Sequence, residues 1–119
     1  MKIHKIYIIG KYRAQREQDK VANIERARQA AHELCRKGWF VFCPHANSGY
    51  FDIACPEISQ EFWLAMGSAF QRDCEAVYLL REWQQSQGSL IEYRDAQAWE
   101  QMIFEQGRNE PPDLNKVMV

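Results

Sequence analysis

Ala76-Val77-Tyr78-Leu79-Leu80, followed by Arg81-Glu82-Trp83-Gln84-Gln85-Ser86-Gln87-Gly88-Ser89-Leu90-Ile91-Glu92, passes from a short apolar run through a polar turn into a helical pattern. An unbroken apolar run bounded by turn residues reads as a strand buried on both faces. The helix that follows carries Glu92 about one turn inside its start. In an open α/β sheet, ligands bind in the crevice beyond the carboxyl ends of the strands. A helix N-terminus there offers free N–H groups to an anionic or polyhydroxylated ligand. A carboxylate in the first turn suits a reaction at a sugar carbon, as nucleophile or cation stabiliser. The same residues also have a purely structural use. Ser86 or Ser89 can cap the helix, and Ser89 with Glu92 has the spacing of a capping box.

Working outward, Ile3 to Ile9 is β-branched and aromatic and stops at Gly10, which reads as a first strand. Lys11 to Lys20 reads as a polar loop. From Val21, small or apolar residues recur at Ile24, Ala27, Ala30, Ala31 and Leu34 with the period of an amphipathic helix, which a basic last turn and Gly38 bring to an end. Trp39 to Cys43 is a second short strand, stopped by Pro44. Pro44 to Pro56 reads as a loop of functional character, rich in His, Asn, Ser, Gly and aromatic residues. A second helix runs from about Ile58 to Arg72 and a third from Ser89 to about Ala98. Gln101 to Glu105 is a short fourth strand, or else an extension of the third helix. Residues 1–106 form one α/β domain, and residues 107–119, with Pro111 and Pro112, a loosely held polar tail.

The alternation of strands and helices predicts a three-layer, single-domain, parallel α/β sheet of four or five strands, flavodoxin-like or Rossmann-like, with strand 1 central. Loops after strands 1, 2 and 3 then converge on one rim. They hold nearly all the unusual polar and aromatic residues, and that convergence is the main physical argument for a binding site.

At 119 residues with a formal net charge of -1, the chain lacks the basic excess of a nucleic-acid binder, so no nucleic-acid polymer is expected as partner. No apolar run reaches the roughly 20 residues of a membrane span, and no signal-peptide pattern opens the chain; a cytoplasmic location is expected. Cys35, Cys43, Cys55 and Cys74 have no zinc-like spacing and read mainly as buried thiols; His4, His32 and His45 are too dispersed for a metal site. No metal or cofactor is expected.

Ile6-Tyr7-Ile8-Ile9-Gly10-Lys11-Tyr12-Arg13-Ala14, Asn23-Ile24, Pro44-His45-Ala46-Asn47-Ser48, and Ala76 to Leu80 with Trp83, Ser86, Gly88 and Glu92 together resemble the nucleoside 2-deoxyribosyltransferase-like superfamily, nearest to the small bacterial and phage domain DUF4406. The resemblance covers roughly residues 3 to 105. It implies an enzyme that cleaves the N-glycosidic bond of nucleosides or their monophosphates through a glycosyl-enzyme intermediate on a helix-borne Glu, which by position is Glu92. It places Ser86, Gly88 and Ser89 where the sugar or a 5′-phosphate binds, and Gly10, Tyr12 and Arg13 beside the substrate. Lys11 stands where the family pattern has proline, and Glu75 replaces an Asp near the start of strand 3. Ser86 stands where the transferases have a base-contacting Asp.

Against that background, Glu92 is the catalytic candidate, kept ionised by the helix dipole. Asp52, Glu82 and Asp95 are conceivable donors to the leaving base, and so is His45. Arg13 is a candidate phosphate partner; Tyr12, Tyr50, Phe51 and Trp83 are candidate stacking surfaces, or else cover the sheet edge. Asn47 joins His45 and Phe51 in the second-strand loop as a candidate contact. The expected partner is a small-molecule nucleoside or nucleotide, and the alternative reading is a non-catalytic nucleotide sensor. A flavodoxin-like electron carrier is disfavoured, because no Ser/Thr-rich phosphate loop follows strand 1. Trp39, Phe62, Trp63, Phe70 and Trp99 exceed what a small sheet covers, so a homo-oligomer is expected.

Overall fold

The computed structural model describes residues 4–117; Ile3 of the expected first strand, and Met118 and Val119 of the tail, lie outside the described residues. Strands β1 (Lys5–Ile9), β2 (Phe40–Phe42), β3 (Ala76–Leu79) and β4 (Met102–Glu105) form one all-parallel sheet in the order β2-β1-β3-β4. Helices α1 (Glu17–Arg36), α2 (Pro44–Ser48), α3 (Phe51–Ala54), α4 (Gln60–Arg72), α5 (Gln87–Ala98) and α6 (Leu114–Val117) complete it. Layers, parallel sense and the central place of β1 are as the alternation predicts, in a flavodoxin-like arrangement.

Every residue of β3, and Ile6 to Ile9 of β1, is buried, because helices cover both faces. The alternation along the strands sorts them. Ile6, Ile8, Ala76 and Tyr78 pack with Ala27, Ala30 and Leu34 of α1. Tyr7, Ile9, Val77 and Leu79 face the other way, with Leu90, Tyr93 and Ala96 of α5. Each aliphatic side chain so buried contributes about 1.5–3 kcal/mol.

Four local expectations are corrected. Helix α1 starts at Glu17 rather than Val21, since Glu17 and Asp19 give its first turn the acidic charge that a helix N-terminus favours. The stretch from Pro44 to Pro56 is no loop: Pro44, with its fixed φ, opens α2, and α3 follows after Tyr50, which adopts φ 70°. Helix α5 starts at Gln87 because Ser86 is the cap, its Oγ accepting from the Ser89 N–H; the Ser89–Glu92 capping box does not form. The tail is a strap rather than a loose end. Pro111 is fully buried and Leu114 joins the α1-side core. Lys37 Nζ donates to the Pro111 carbonyl, Trp39 Nε1 to the Pro112 carbonyl (both 3.0 Å), and the Tyr78 hydroxyl to Glu110. Trp39 is therefore buried by the chain itself and offers no exposed apolar surface. Of the cysteines, Cys43 is buried, Cys35 is exposed, and Cys55 and Cys74 lie between.

Candidate active site

At the carboxyl ends of β1 and β2, a cavity of about 890 Å³ opens between the β1–α1 turn, α2, α4 and the start of α5. Tyr7 and Glu92 lie on its wall together. The alternation of β1 turns Tyr7 toward α4 and α5, and the second turn of α5 presents Glu92 to it. The Tyr7 hydroxyl donates to Glu92 Oε2 at 2.8 Å. Gly67 of α4 leaves room for the pair: a Cβ there would stand 2.8 Å from the Tyr7 hydroxyl and 3.8 Å from Glu92 Oε2. Gln71, fully buried on α4, fixes α5 from behind by donating to the Glu92 backbone carbonyl at 2.9 Å.

Glu92 is half-buried, open to the cavity and otherwise closely surrounded. Burial pushes its carboxyl from 4.5 up to about 7; the Tyr7 hydrogen bond opposes the rise, and the nearby Asp95 charge adds to it. This corrects the expectation that the helix dipole keeps Glu92 ionised. At neutral pH, both forms are populated. Burial and the Glu92 charge push the Tyr7 phenol far above its usual range, so it acts only as a neutral donor.

Of the residues singled out in the sequence, Gly10, Tyr12, Arg13, His45, Asn47, Ser86, Gly88, Ser89 and Glu92 all line the cavity. Their roles differ from one another. Gly10 lies against the Leu80 side chain just past β3: a Cβ would meet its Cδ1 at 2.7 Å and its Cβ at 3.1 Å, so a larger residue would have to displace that side chain. The Tyr12 hydroxyl donates to Asp52 at 2.8 Å and accepts from the Tyr50 N–H at 2.9 Å, pinning α3 to the rim. Burial, countered in part by the Tyr50 N–H and reinforced by Asp52, pushes its phenol up to about 12. Arg13 is exposed and bonds the Gln60 side chain. His45 is buried, and its Nε2 lies 3.1 and 3.2 Å from the Gly10 and Lys11 carbonyls, so Nε2 carries the proton. Burial holds the ring below its ordinary pKa. His45 is thus a neutral brace for the β1–α1 turn and not a proton donor to substrate. Ser89 is buried, with its Oγ unpartnered among the described residues. Its N–H is taken by Ser86, which leaves the N–H groups of Gln87 and Gly88, rather than those of Gly88 and Ser89, as the open donors of that turn among the described residues.

Three expected residues, Tyr50, Phe51 and Trp83, are not brought into the cavity; the Tyr50 ring is exposed, and its backbone N–H is what holds the Tyr12 hydroxyl. Trp83 is buried against Tyr93, with ring centroids 4.7 Å apart and Nε1 donating to Glu105. The turn from Trp83 to Gln85 folds the indole under the sheet edge, so it cannot stack on a ligand. Phe51 stands outside the cavity, exposed and edge-on to Trp63. None of the expected acids is poised as a donor. Burial raises the Asp52 pKa, but the Tyr12 hydroxyl and Lys20 outweigh it and hold Asp52 below its usual value, ionised. Glu82 pairs with Lys11 outside the main cavity, and Asp95 is not among the lining residues. Among the lining residues that sequence reasoning missed, Tyr7 and Gly67 matter most, because they shape the surroundings of Glu92. Tyr7 did leave a signal, as the one hydroxyl in the otherwise aliphatic run Ile6 to Ile9. Gly67 carried none. Among the described residues, no group of three His, Cys, Asp or Glu side chains converges to hold a metal, and no helix is long and apolar enough to cross a membrane.

A family model for a domain of unknown function, DUF4406, matches residues 4–105. The chain belongs to the DUF4406 family. No curated protein matches it. The DUF4406 match runs from the residue before β1 to the last residue of β4, so it takes in the whole cavity and ends before the strap.

Proposed function

We propose that this DUF4406 protein is an N-glycosidase of the nucleoside 2-deoxyribosyltransferase type, cleaving the base from a nucleoside or nucleoside monophosphate. The observation that carries the reading is the Tyr7–Glu92 pair on the cavity wall. A carboxylate with one oxygen held by a phenol has its other oxygen free to attack the anomeric carbon. As the Glu92 Oε–C1′ bond forms, the C1′–N bond breaks, and the base leaves with the electron pair and takes a proton from water. The transition state has oxocarbenium character, which the adjacent carboxylate stabilises. Water then attacks C1′, releasing the sugar and regenerating Glu92; a second base in place of water makes the reaction a transfer. The Ser86 side chain and the open N–H groups of Gln87 and Gly88 suit the sugar hydroxyls or a 5′-phosphate. Only the ionised form of Glu92 is a nucleophile, so turnover rises as pH passes through about 7.

The rival use, a binding module with no turnover, is favoured by the absence of a poised acid among Asp52, Glu82 and Asp95. Incubation with a panel of nucleosides and monophosphates separates the two, through appearance of free base that is lost in Glu92→Gln. Four unpaired thiols suit a reducing, cytoplasmic setting. Phe51 and Phe62, edge-on to half-buried Trp63, with Phe70 further along α4, are each more than two-fifths exposed and form the surface through which copies of the chain associate in this reading.

A further inference from the structure

Beside the main cavity, at the carboxyl ends of β3 and β4, lies a groove of about 320 Å³. The two share Lys11, Asn23 and Arg26 as a common wall. The Lys11 ammonium stands at the junction, 3.0 Å from Gln85 Oε1 on the cavity side and 3.6 Å from Glu82 Oε1 on the groove side. Beyond it the groove presents Arg26 and Arg81. Arg26 donates to Asn23 Oδ1 at 2.5 Å, and neither arginine has a carboxylate within 4.0 Å among the described residues. Against these three cations stand two carboxylates, Glu33 and Glu82, and Lys11 already occupies Glu82. Two guanidiniums without acidic partners, facing a narrow groove, match the charge and fork geometry of phosphate.

We infer that the ligand is a nucleotide with a 5′-pyrophosphate, a nucleoside diphosphate unit either free or within a dinucleotide; the assignment rests on the placing of the sugar over Glu92 argued above. With C1′ at Glu92, the 5′-oxygen points toward the first turn of α5. Gln85 immediately precedes the Ser86 cap of that turn and holds Lys11, so a chain of phosphates leaving the 5′-oxygen passes Lys11 and enters the groove. The first phosphate takes the open N–H groups of Gln87 and Gly88, and the second lies beside Lys11, between Arg26 and Arg81. At about 320 Å³ the groove has ample room for a phosphate group, and its lining is charged and polar except for Ala30 and Leu80. The main cavity, near the upper end of the roughly 300–1,000 Å³ range of small-molecule sites, accommodates the nucleoside.

Titration calorimetry on the full-length Glu92→Gln protein tests this without turnover. The probes are the 5′-mono- and 5′-diphosphates of the four common bases, and dinucleotides joined through a pyrophosphate. The diphosphate of the preferred base should bind at least about tenfold more tightly than its monophosphate, the gain that one further charge-assisted contact supplies. Adding Arg81→Gln, and separately Arg26→Gln, should bring that ratio to within about twofold while circular dichroism stays unchanged. A dinucleotide that binds as tightly as the free diphosphate assigns the dinucleotide as a source; a weaker one assigns the free diphosphate, and both support the pyrophosphate subsite. Equal affinity for mono- and diphosphate, or a ratio that survives both arginine variants, overturns it. A retained, arginine-dependent ratio without base release from any probe by the wild-type protein removes the glycosidase reading and keeps the subsite. Failure of every nucleotide to bind removes both.

Discussion

Glu92→Gln should make the protein more stable above neutral pH while abolishing its chemistry. The folded protein holds the Glu92 carboxyl at about 7, against 4.5 when unexposed to the fold's influence. Between those values the unfolded chain has released a proton that the folded chain still binds, so this group makes stability fall as pH rises. The loss begins near pH 4.5 and is complete above about 7. Two and a half units correspond to an upper bound of about 3 kcal/mol, part of which cavity water screens. Glutamine keeps an oxygen for the Tyr7 hydroxyl and cannot ionise. His45 tilts the profile the other way: its folded pKa is depressed, so the unfolded chain binds the extra proton and stability rises with pH up to about 6.5. That contribution is common to both proteins and cancels in their difference. Urea unfolding of wild type and variant at pH 5 and pH 8 therefore gives the Glu92 contribution directly. The variant should gain about 1–3 kcal/mol on wild type at pH 8 relative to pH 5. Identical pH profiles would refute the buried, raised carboxyl on which the site rests.

Tyr7→Phe removes the one hydrogen bond that holds the Glu92 pKa down, so the rising limb of base release should shift to higher pH, with turnover at pH 7 falling more than turnover at pH 9; an unshifted pH profile would count against the pairing. Gly67→Ala improves helix propensity by about 1 kcal/mol, yet its Cβ must press on the Tyr7 hydroxyl; turnover should drop with circular dichroism unchanged, whereas full activity would show the pair is not confined. Light scattering at high micromolar concentration should show an oligomer that Phe62→Glu dissociates, and a wild-type monomer would dismiss the aromatic surface around Trp63 as an interface.

The sheet was legible because its two inner strands are unbroken apolar runs, a pattern that few arrangements other than a parallel, doubly covered sheet bury. Glu92 was legible because the strand–turn–helix order puts the first turns of α5 at the sheet's carboxyl edge. What escaped was set by contacts distant in sequence. The pKa of Glu92 comes from α4 and β1 closing around it, which no local dipole argument contains. Trp83 looks like a rim aromatic until Glu105 and Tyr93, ten or more residues further on, turn it inward. The strap over Trp39 depends on two proline carbonyls and Leu114 reaching back across more than seventy residues, and its polar composition concealed it. His45 looked like a catalytic histidine, and only the Gly10 and Lys11 carbonyls show that its proton is already committed.

The most direct measurement is release of free base, followed by chromatography, from nucleosides and their 5′-phosphates incubated with wild-type protein across pH 5 to 9. The account predicts release from at least one substrate, with a rate rising through about pH 7 and falling to background in Glu92→Gln. Base release that persists at the wild-type rate in Glu92→Gln would contradict it, as would no release from any substrate by a protein that binds nucleotides.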